Sequence, residues 1–144
     1  MTTSADTSRQ QLQALAERIA KASGPDRELD GMVWCAADGY EFVQWDGAGV
    51  VYRGDSRRGI THQPADHIRE YSASIDSALA LVERLKPGVF WLIGKGKTRS
   101  AEPPFGAQLL FGTKEILGEG EAATAPLAIL RALIAALLSE PARD

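Results

Sequence analysis

The sequence predicts one α/β domain of the α+β type, an α-β-α sandwich in which a small, largely antiparallel sheet carries helices on both faces. The chain has 144 residues, a length that suits one domain. Its apolar patterns predict two helices, a hairpin, a third helix, two strands and a final helix, in that order. Helices on either side of an antiparallel sheet fit this order best. We place the domain at residues 9–140, after a disordered N-terminus at residues 1–8.

The first helix is predicted from apolar spacing and a stop signal. The helical pattern begins near Ser8. Leu12, Leu15 and Ile19 then recur at spacings of three and four residues and form one apolar face. The stretch SGP at 23–25 ends this helix, because glycine suits the left-handed end of one helix and proline suits the first turn of the next.

The second helix, PDRELDGMVWCAA (25–37), begins with three closely spaced carboxylates, Asp26, Glu28 and Asp30. Acidic residues are favoured in a first turn, where they face exposed amides and the positive end of the helix dipole. A metal site is the alternative, but no histidine or cysteine stands at ligand spacing, so we predict none. Cys35 lies in the apolar end of this helix and is expected to be a small buried apolar group.

A hairpin and a loop are predicted next. The stretch YEFVQW (40–45) is rich in strand-forming residues, DGAG (46–49) is a turn signal, and VVYR (50–53) forms the second strand. The following stretch, DSRRGITHQPADH (55–67), is polar and rich in turn residues. It is therefore predicted to be a loop.

Two later helices have clear boundaries. The first begins after Ser74, its N-cap, and has Lys86 in its last turn, with Pro87-Gly88 ending it. The second covers residues 125–139, with Thr124 as its cap. This last helix carries leucine and isoleucine on every side, and a helix that is apolar all round is buried all round. In so small a domain this pattern predicts a homo-oligomer, most simply a two-fold dimer.

Two strands are predicted between these helices. The stretch VFWLIG (89–94) is apolar on both faces, which predicts a central strand covered by helices on both sides. The stretch AQLLFG (107–112) is expected to pair with it in antiparallel fashion. Residues 113–124 are expected to connect this strand to the last helix.

The stretch GKGKT (94–98) resembles the end of a phosphate-binding loop. Such a loop needs a glycine five positions before the glycine of its Gly-Lys-Thr, and Trp91 occupies that position. A helix must also follow and hold the phosphate at its N-terminus, but Pro103 and Pro104 exclude a helix interior there. The stretch is therefore predicted to be a loop between strands.

Two basic clusters are candidate ligand-binding sites in a chain whose net charge is −3. Glycines in the first cluster let the backbone approach a phosphate, which its cations can bind by charge-assisted hydrogen bonds. The second cluster combines arginines with aromatic rings, which can clamp a phosphate and stack on a nucleobase. A solvated surface loop is the alternative for both. The candidates are Lys95, Lys97 and Arg99 in the first cluster, and Arg53, Arg57, Arg58, Trp45 and Tyr52 in the second.

The composition excludes several function classes. The slightly negative charge gives no global field that favours DNA or anionic lipid. The N-terminus lacks a signal-peptide pattern and no apolar run is long enough to span a bilayer, so we expect a cytoplasmic protein without a membrane partner. The sequence has no HExxH motif and no Gly-x-Ser-x-Gly elbow, so neither catalysis nor a cofactor is predicted.

Several stretches resemble the small phage and prophage proteins of the phage ABA-sandwich domain family. In the order typical of that family, they are Gly24–Asp30, Tyr71–Ala78, Trp91 and Ala123–Leu133. The resemblance covers most of the chain and implies an α-β-α sandwich and a phage origin. The segment Gly39–His67 is longer than in the family pattern. The resemblance implies no settled activity and no catalytic residues.

Three functional hypotheses follow. The first is a phage-encoded accessory protein that acts as a non-catalytic anti-defence sponge for a nucleotide-derived immune signal, which needs an enclosed pocket with cationic and stacking groups. The second is a protein-interaction inhibitor that covers a host enzyme, which needs a flat exposed apolar patch instead. The third is a hydrolase of such signals, for which His62 and His67 are the candidate general bases.

Overall fold

The computed structural model describes residues 4–54, 59–95, 104–112 and 115–140, and the side chains from residue 9 onward. Its helices are α1 (Ser4–Lys21), α2 (Arg27–Asp38), α3 (Ile75–Leu85) and α4 (Ala125–Ser139), with a short 3-10 helix at Ala65–His67. Its strands are β1 (Glu41–Trp45), β2 (Gly49–Arg53), β3 (Ile60–Pro64), β4 (Phe90–Lys95), β5 (Phe105–Phe111) and β6 (Glu115–Ala122). Helix α1 thus begins at Ser4, earlier than the predicted start near Ser8.

The strands form two antiparallel three-stranded sheets, β1-β2-β3 and β4-β5-β6. The predicted mixed α+β class and the packing of helices on small antiparallel sheets are confirmed. Two strands lie where none was predicted. Strand β3 lies within the stretch predicted to be a loop, and β6 lies within the predicted connection to the last helix. The reason is that each is a hairpin partner with few apolar side chains, so its own pattern is weak.

Helix α4 is the centre of the main core. It packs on the β4–β6 sheet with one side, and on α1 and α3 with the other. Leu127, Ile129, Leu130 and Leu133 are therefore at most 2% exposed within a single chain. The predicted dimer was inferred from the premise that one sheet cannot cover every side of this helix. That premise does not require a second subunit, because α1 and α3 cover the sides of α4 that the sheet leaves open. A homo-oligomer stays a prediction.

Two glycines allow α4 to lie unusually close to β6. A Cβ atom added at Gly118 would lie 2.3 Å from the carbonyl oxygen of Ala132, and one added at Gly120 would lie 2.8 Å from the Ala132 amide nitrogen. Real Cβ atoms do not approach backbone this closely, so only glycine fits at these positions. The alternation of Gly118 and Gly120 with exposed Glu119 and Glu121 is thus a strand pattern with glycine facing the core.

Strand β4 is an edge strand, contrary to the prediction of a central one. It pairs with β5 alone in the described part of the chain, and β5 occupies the centre of the sheet. Phe90, Trp91 and Leu92 are 62%, 42% and 58% exposed. An apolar run does not specify strand order, since order depends on which later strand pairs with it. The expectation that helices cover both faces of this strand was therefore wrong.

The acidic first turn of α2 is used for structure. Asp26 caps the helix by accepting hydrogen bonds from the amides of Glu28 and Leu29. Arg18 of α1 forms ion pairs with both Asp26 and Glu28 at 2.8 Å. These carboxylates therefore join α1 to α2.

Asp30 and Arg27 form a clamp that holds the connection between β3 and α3. Asp30 is 1% exposed and accepts hydrogen bonds from the Ser72 amide at 2.7 Å and from Arg27 at 2.8 Å. Arg27 also donates to the carbonyl oxygens of Ala65 and Ile68. Burial raises the pKa of the Asp30 carboxyl, and the hydrogen bonds from Ser72 and Arg27 oppose that rise. Arg27 and Asp30 both belong to the stretch Gly24–Asp30 that carries part of the phage resemblance, and both side chains make contacts that hold the fold together.

Candidate functional site

The aromatic residues of the second basic cluster face the interior. Trp45 and Tyr52 lie on the side of the β1–β3 sheet that packs on α2, around buried Cys35 and Val50. The Tyr52 ring stacks on Tyr40, with ring centroids 4.7 Å apart. In this structure, both predicted stacking rings therefore contact other side chains of the same chain.

The described cations of the two clusters lie apart from these rings. Arg53 follows Tyr52 in β2, so its side chain points to the opposite face of the sheet, where it meets Glu41 at 3.5 Å. Lys95 is exposed at the end of β4, in the other sheet. The remaining predicted contacts, Arg57, Arg58, Lys97 and Arg99, lie outside the described residues. The assignment of a phosphate site to these clusters stays a prediction.

Of the titratable groups that could serve in catalysis, His62 has a structural partner, Cys35 is buried, and His67 is exposed at the end of the short 3-10 helix. His62 places Nε2 3.1 Å from Oδ2 of Asp46, and the other carboxylate oxygen, Oδ1, accepts hydrogen bonds from the Ala48 and Gly49 amides of the β1–β2 turn. The Ala48 hydrogen bond is the largest of the effects that lower the pKa of Asp46. Cys35 is fully buried, and burial raises the pKa of its thiol to about 12. At neutral pH this thiol is protonated and cannot act as a nucleophile.

The described part of the chain shows neither a metal-binding cluster nor a membrane-spanning helix. No group of three or more histidine, cysteine, aspartate or glutamate side chains in it could hold a metal ion. None of its helices combines the length and apolarity that a bilayer span requires.

The open face of the β4–β6 sheet carries several exposed apolar side chains. Phe90, Leu110 and Ile116 are directly opposite one another on the three strands, so their side chains point to the same side. Leu109, next to Leu110, is buried, so Leu110 faces away from the core. In β6 the register shifts between Gly118, which faces α4, and Ile116, and this irregularity turns Ile116 to the open side. Phe90 is 62% exposed and Ile116 is 50% exposed. We define the apolar corner as Phe90, Leu92, Leu110 and Ile116.

The same face becomes acidic towards the opposite corner of the sheet. The rows that follow the apolar one are Leu92, Gln108, Glu119 and then Gly94, Gly106, Glu121. Gln108 donates from Nε2 to Oε2 of Glu119 at 3.1 Å. Both glutamates are exposed. We define the acidic corner as Glu119 and Glu121.

A groove of about 560 Å³ lies along these two rows. Its lining includes Gly94 and Gly106, where an added Cβ atom would meet no heavy atom closer than 4.0 Å. Arg131 of α4 also lines the groove, and its guanidinium donates to the carbonyl oxygen of Glu121 at 2.6 Å. The groove is therefore bounded by leucine at one end and by two carboxylates and one guanidinium at the other.

Sequence reasoning missed this face because its side chains come from three strands. Strand β4 was recognised, but its exposed residues were assigned to the core. The signal that could have located the acidic corner is the alternation Gly118-Glu119-Gly120-Glu121, which has a period of two residues. Glycine has a low strand propensity, and this hides the period.

A second, smaller cleft of about 180 Å³ lies beside α3. It is lined in part by Arg69, Tyr71 and Arg84. Arg84 pairs with Asp38 at 3.0 Å, so part of the positive charge of the cleft is neutralised. This cleft contains two cations and a phenol, the side-chain types that a small anion uses.

Comparisons with known proteins assign no activity to the chain. No protein-family model matches the sequence, so membership of the phage ABA-sandwich domain family is not confirmed. No curated protein matches it either. One solved structure to which the chain shows similarity is the crystal structure of a phage protein from Bacillus cereus ATCC 14579. The two chains are 22% identical, the match covers 81% of this chain and 95% of that one, and the TM-score is 0.49.

Proposed function

We propose that this chain is a non-catalytic, phage-encoded accessory protein that binds a host protein through the open face of its β4–β6 sheet. The observation that carries the proposal is the exposure of the apolar corner, where Phe90 and Leu92 are 62% and 58% exposed beside Ile116 at 50%. Contiguous exposed apolar side chains with a polar rim are typical of protein-interaction surfaces. The phage origin rests on the sequence motifs given above.

The edge of the sheet supports the same proposal. Strand β4 lies at the edge, so its outer backbone amides and carbonyls have no strand partner within the described residues. Proteins normally protect such edges with charges, prolines or bulges. Residues 90–93 of β4 carry none of these, and the strand turns exposed Phe90 and Leu92 outward. A partner that covers this surface removes both the apolar side chains and the open edge from water.

The test compares Leu92→Glu with a matched control, Ile60→Glu. Leu92 and Ile60 are both 58% exposed, but Ile60 lies on the other sheet. Tagged wild type and both variants are incubated with extract of the bacterium that carries the gene, and retained proteins are quantified by mass spectrometry. We expect a host protein that wild type and Ile60→Glu retain and that Leu92→Glu loses. Equal retention by all three chains would refute the use of this face.

A nucleotide sponge is the second candidate function, and the cleft lined by Arg69, Tyr71 and Arg84 is the observation that favours it. Its volume of about 180 Å³ is small beside the roughly 300–1,000 Å³ of typical ligand pockets, so it suits a phosphate group better than a whole nucleotide. Calorimetry with a panel of cyclic nucleotides tests this candidate. Tight binding with the nucleotide recovered intact supports a sponge, a hydrolysed nucleotide supports the hydrolase hypothesis, and no binding excludes both.

A further inference from the structure

We infer that the open face takes a segment of a partner protein in which an arginine or lysine stands beside apolar side chains. The inference rests on the proposed function, and it names the chemistry of the partner. It follows from the division of one sheet face into an apolar corner and an acidic corner with a groove between them.

Charge is the first argument. Glu119 and Glu121 are exposed on one face of β6, and neither forms an ion pair with any lysine or arginine in the described ranges. Arg131 is the cation in the described lining of the groove, and its Nη1 donates to a backbone carbonyl. Among the described residues, the groove lining thus has two carboxylates and one guanidinium. A cation from a partner restores the balance, whereas a phosphate is repelled.

Shape is the second argument. Adjacent strands lie about 4.8 Å apart, so about 10 Å separate β4 from β6 across the sheet. The groove lining between them includes Gly94 and Gly106, where no side chain rises above the backbone. The long aliphatic stem of arginine or lysine can lie over this surface, beside Leu92, with its charged head towards the glutamates. Apolar neighbours in the same segment then cover Phe90 and Ile116.

A second copy of the chain fits this face less well. In a two-fold contact the same surface meets itself, so Glu119 and Glu121 would face either the partner's carboxylates or its apolar corner. The first arrangement is repulsive and the second buries a charge without a counterion. The face is therefore complementary to a cationic segment and not to itself.

The experiment uses short synthetic peptides that carry a fluorescent label. One alternates leucine with arginine, one alternates leucine with serine, and one alternates leucine with glutamate. Fluorescence anisotropy measures their Kd for the full chain at low salt and at about 0.5 M salt, since salt screens exposed charges. The variants are Glu119→Gln/Glu121→Gln, Leu92→Glu, and the control Glu17→Gln/Glu83→Gln, which changes net charge equally at exposed sites elsewhere. Circular dichroism confirms that each variant is folded.

We expect the arginine peptide to bind at least about tenfold more tightly than the serine peptide, the usual effect of a charge-assisted hydrogen bond. The double variant of the acidic corner should lose this preference, and the control should keep it. Equal binding of arginine and serine peptides, or equal loss in the control, would overturn the inference.

The same data separate this inference from the proposed function. If both peptides bind equally and Leu92→Glu abolishes both, the face binds protein without the cationic preference. If Leu92→Glu changes no peptide affinity and retains every host protein, the proposed function itself fails, and this inference fails with it.

Discussion

Replacing Gly118 by alanine tests the close packing of α4 on β6. The added methyl group would lie 2.3 Å from the Ala132 carbonyl oxygen and 2.5 Å from the Ala136 amide nitrogen. Both are backbone atoms of one helix, so no side-chain rotation relieves the overlap, and α4 must move by about 1 Å. Overpacking of this kind costs about 1–3 kcal/mol, and occasionally more. We expect the free energy of unfolding to fall by about 3 kcal/mol, because two backbone contacts must be relieved together.

Urea denaturation measures this loss, and Gly94→Ala is its matched control. A Cβ atom added at Gly94, on an edge strand of the same sheet, meets no heavy atom within 4 Å. The control should therefore change the free energy of unfolding by no more than about 1 kcal/mol in either direction. In thermal denaturation, the Gly118 variant should unfold on the order of 10 °C lower. Equal stability of the two variants would refute the packing described here.

Three further predictions concern buried and titrating groups. Asp30→Ala should lower the free energy of unfolding, measured by urea denaturation, by about 2–4 kcal/mol, because the Ser72 amide and Arg27 lose a buried hydrogen-bond acceptor. A loss under about 1 kcal/mol would contradict the structural role of the clamp. Native Cys35 should resist iodoacetamide at neutral pH, since the pKa of its thiol is about 12, and rapid labelling of folded protein would show it accessible. The pKa of Asp46 in the folded chain lies below its ordinary 3.8, so the stability that this carboxylate contributes is present above that value and is lost as the pH falls through the lowered pKa. Asp46→Asn should therefore make the fall of the melting temperature at acid pH less steep. An unchanged fall in this variant counts against the role of Asp46.

Helices could be predicted from the sequence because their signals are local. Helix α3 begins at Ile75 after the predicted cap and ends at Leu85, just before Lys86, which was predicted to lie in its last turn. The Ser74 hydroxyl accepts a hydrogen bond from the Ser77 amide. Helix α4 starts after Thr124 as expected. Capping residues and apolar periodicity lie within a few positions of the boundaries that they determine. They therefore carry the same information in the sequence as in the folded chain.

Strand order and strand exposure could not be predicted, because they depend on distant contacts. Strand β6 has glycine at 118 and 120 because α4 lies against it. The helix itself could be predicted, but nothing in the sequence shows that it packs on this strand. The run at Phe90–Lys95 has the composition of a central strand, yet β5 takes the centre. Local pattern indicates a strand but not its neighbours.

The candidate site was missed for a related reason. The basic clusters were visible in the sequence because their charges are adjacent along the chain. The apolar corner joins Phe90, Leu110 and Ile116, which lie on three different strands and meet only through antiparallel register. A face assembled in this way is recognisable only once the pairing of β4, β5 and β6 is known.

The most direct test of the open face as a binding surface is photo-cross-linking in living cells. A photo-reactive phenylalanine analogue is placed at position 92 in one variant and at position 60 in another, two sites of equal exposure on different sheets. After irradiation of the bacterium that carries the gene, we predict a discrete cross-linked product with a host protein for position 92 and none for position 60. The same products at both positions, or no host product at position 92, would contradict the proposal.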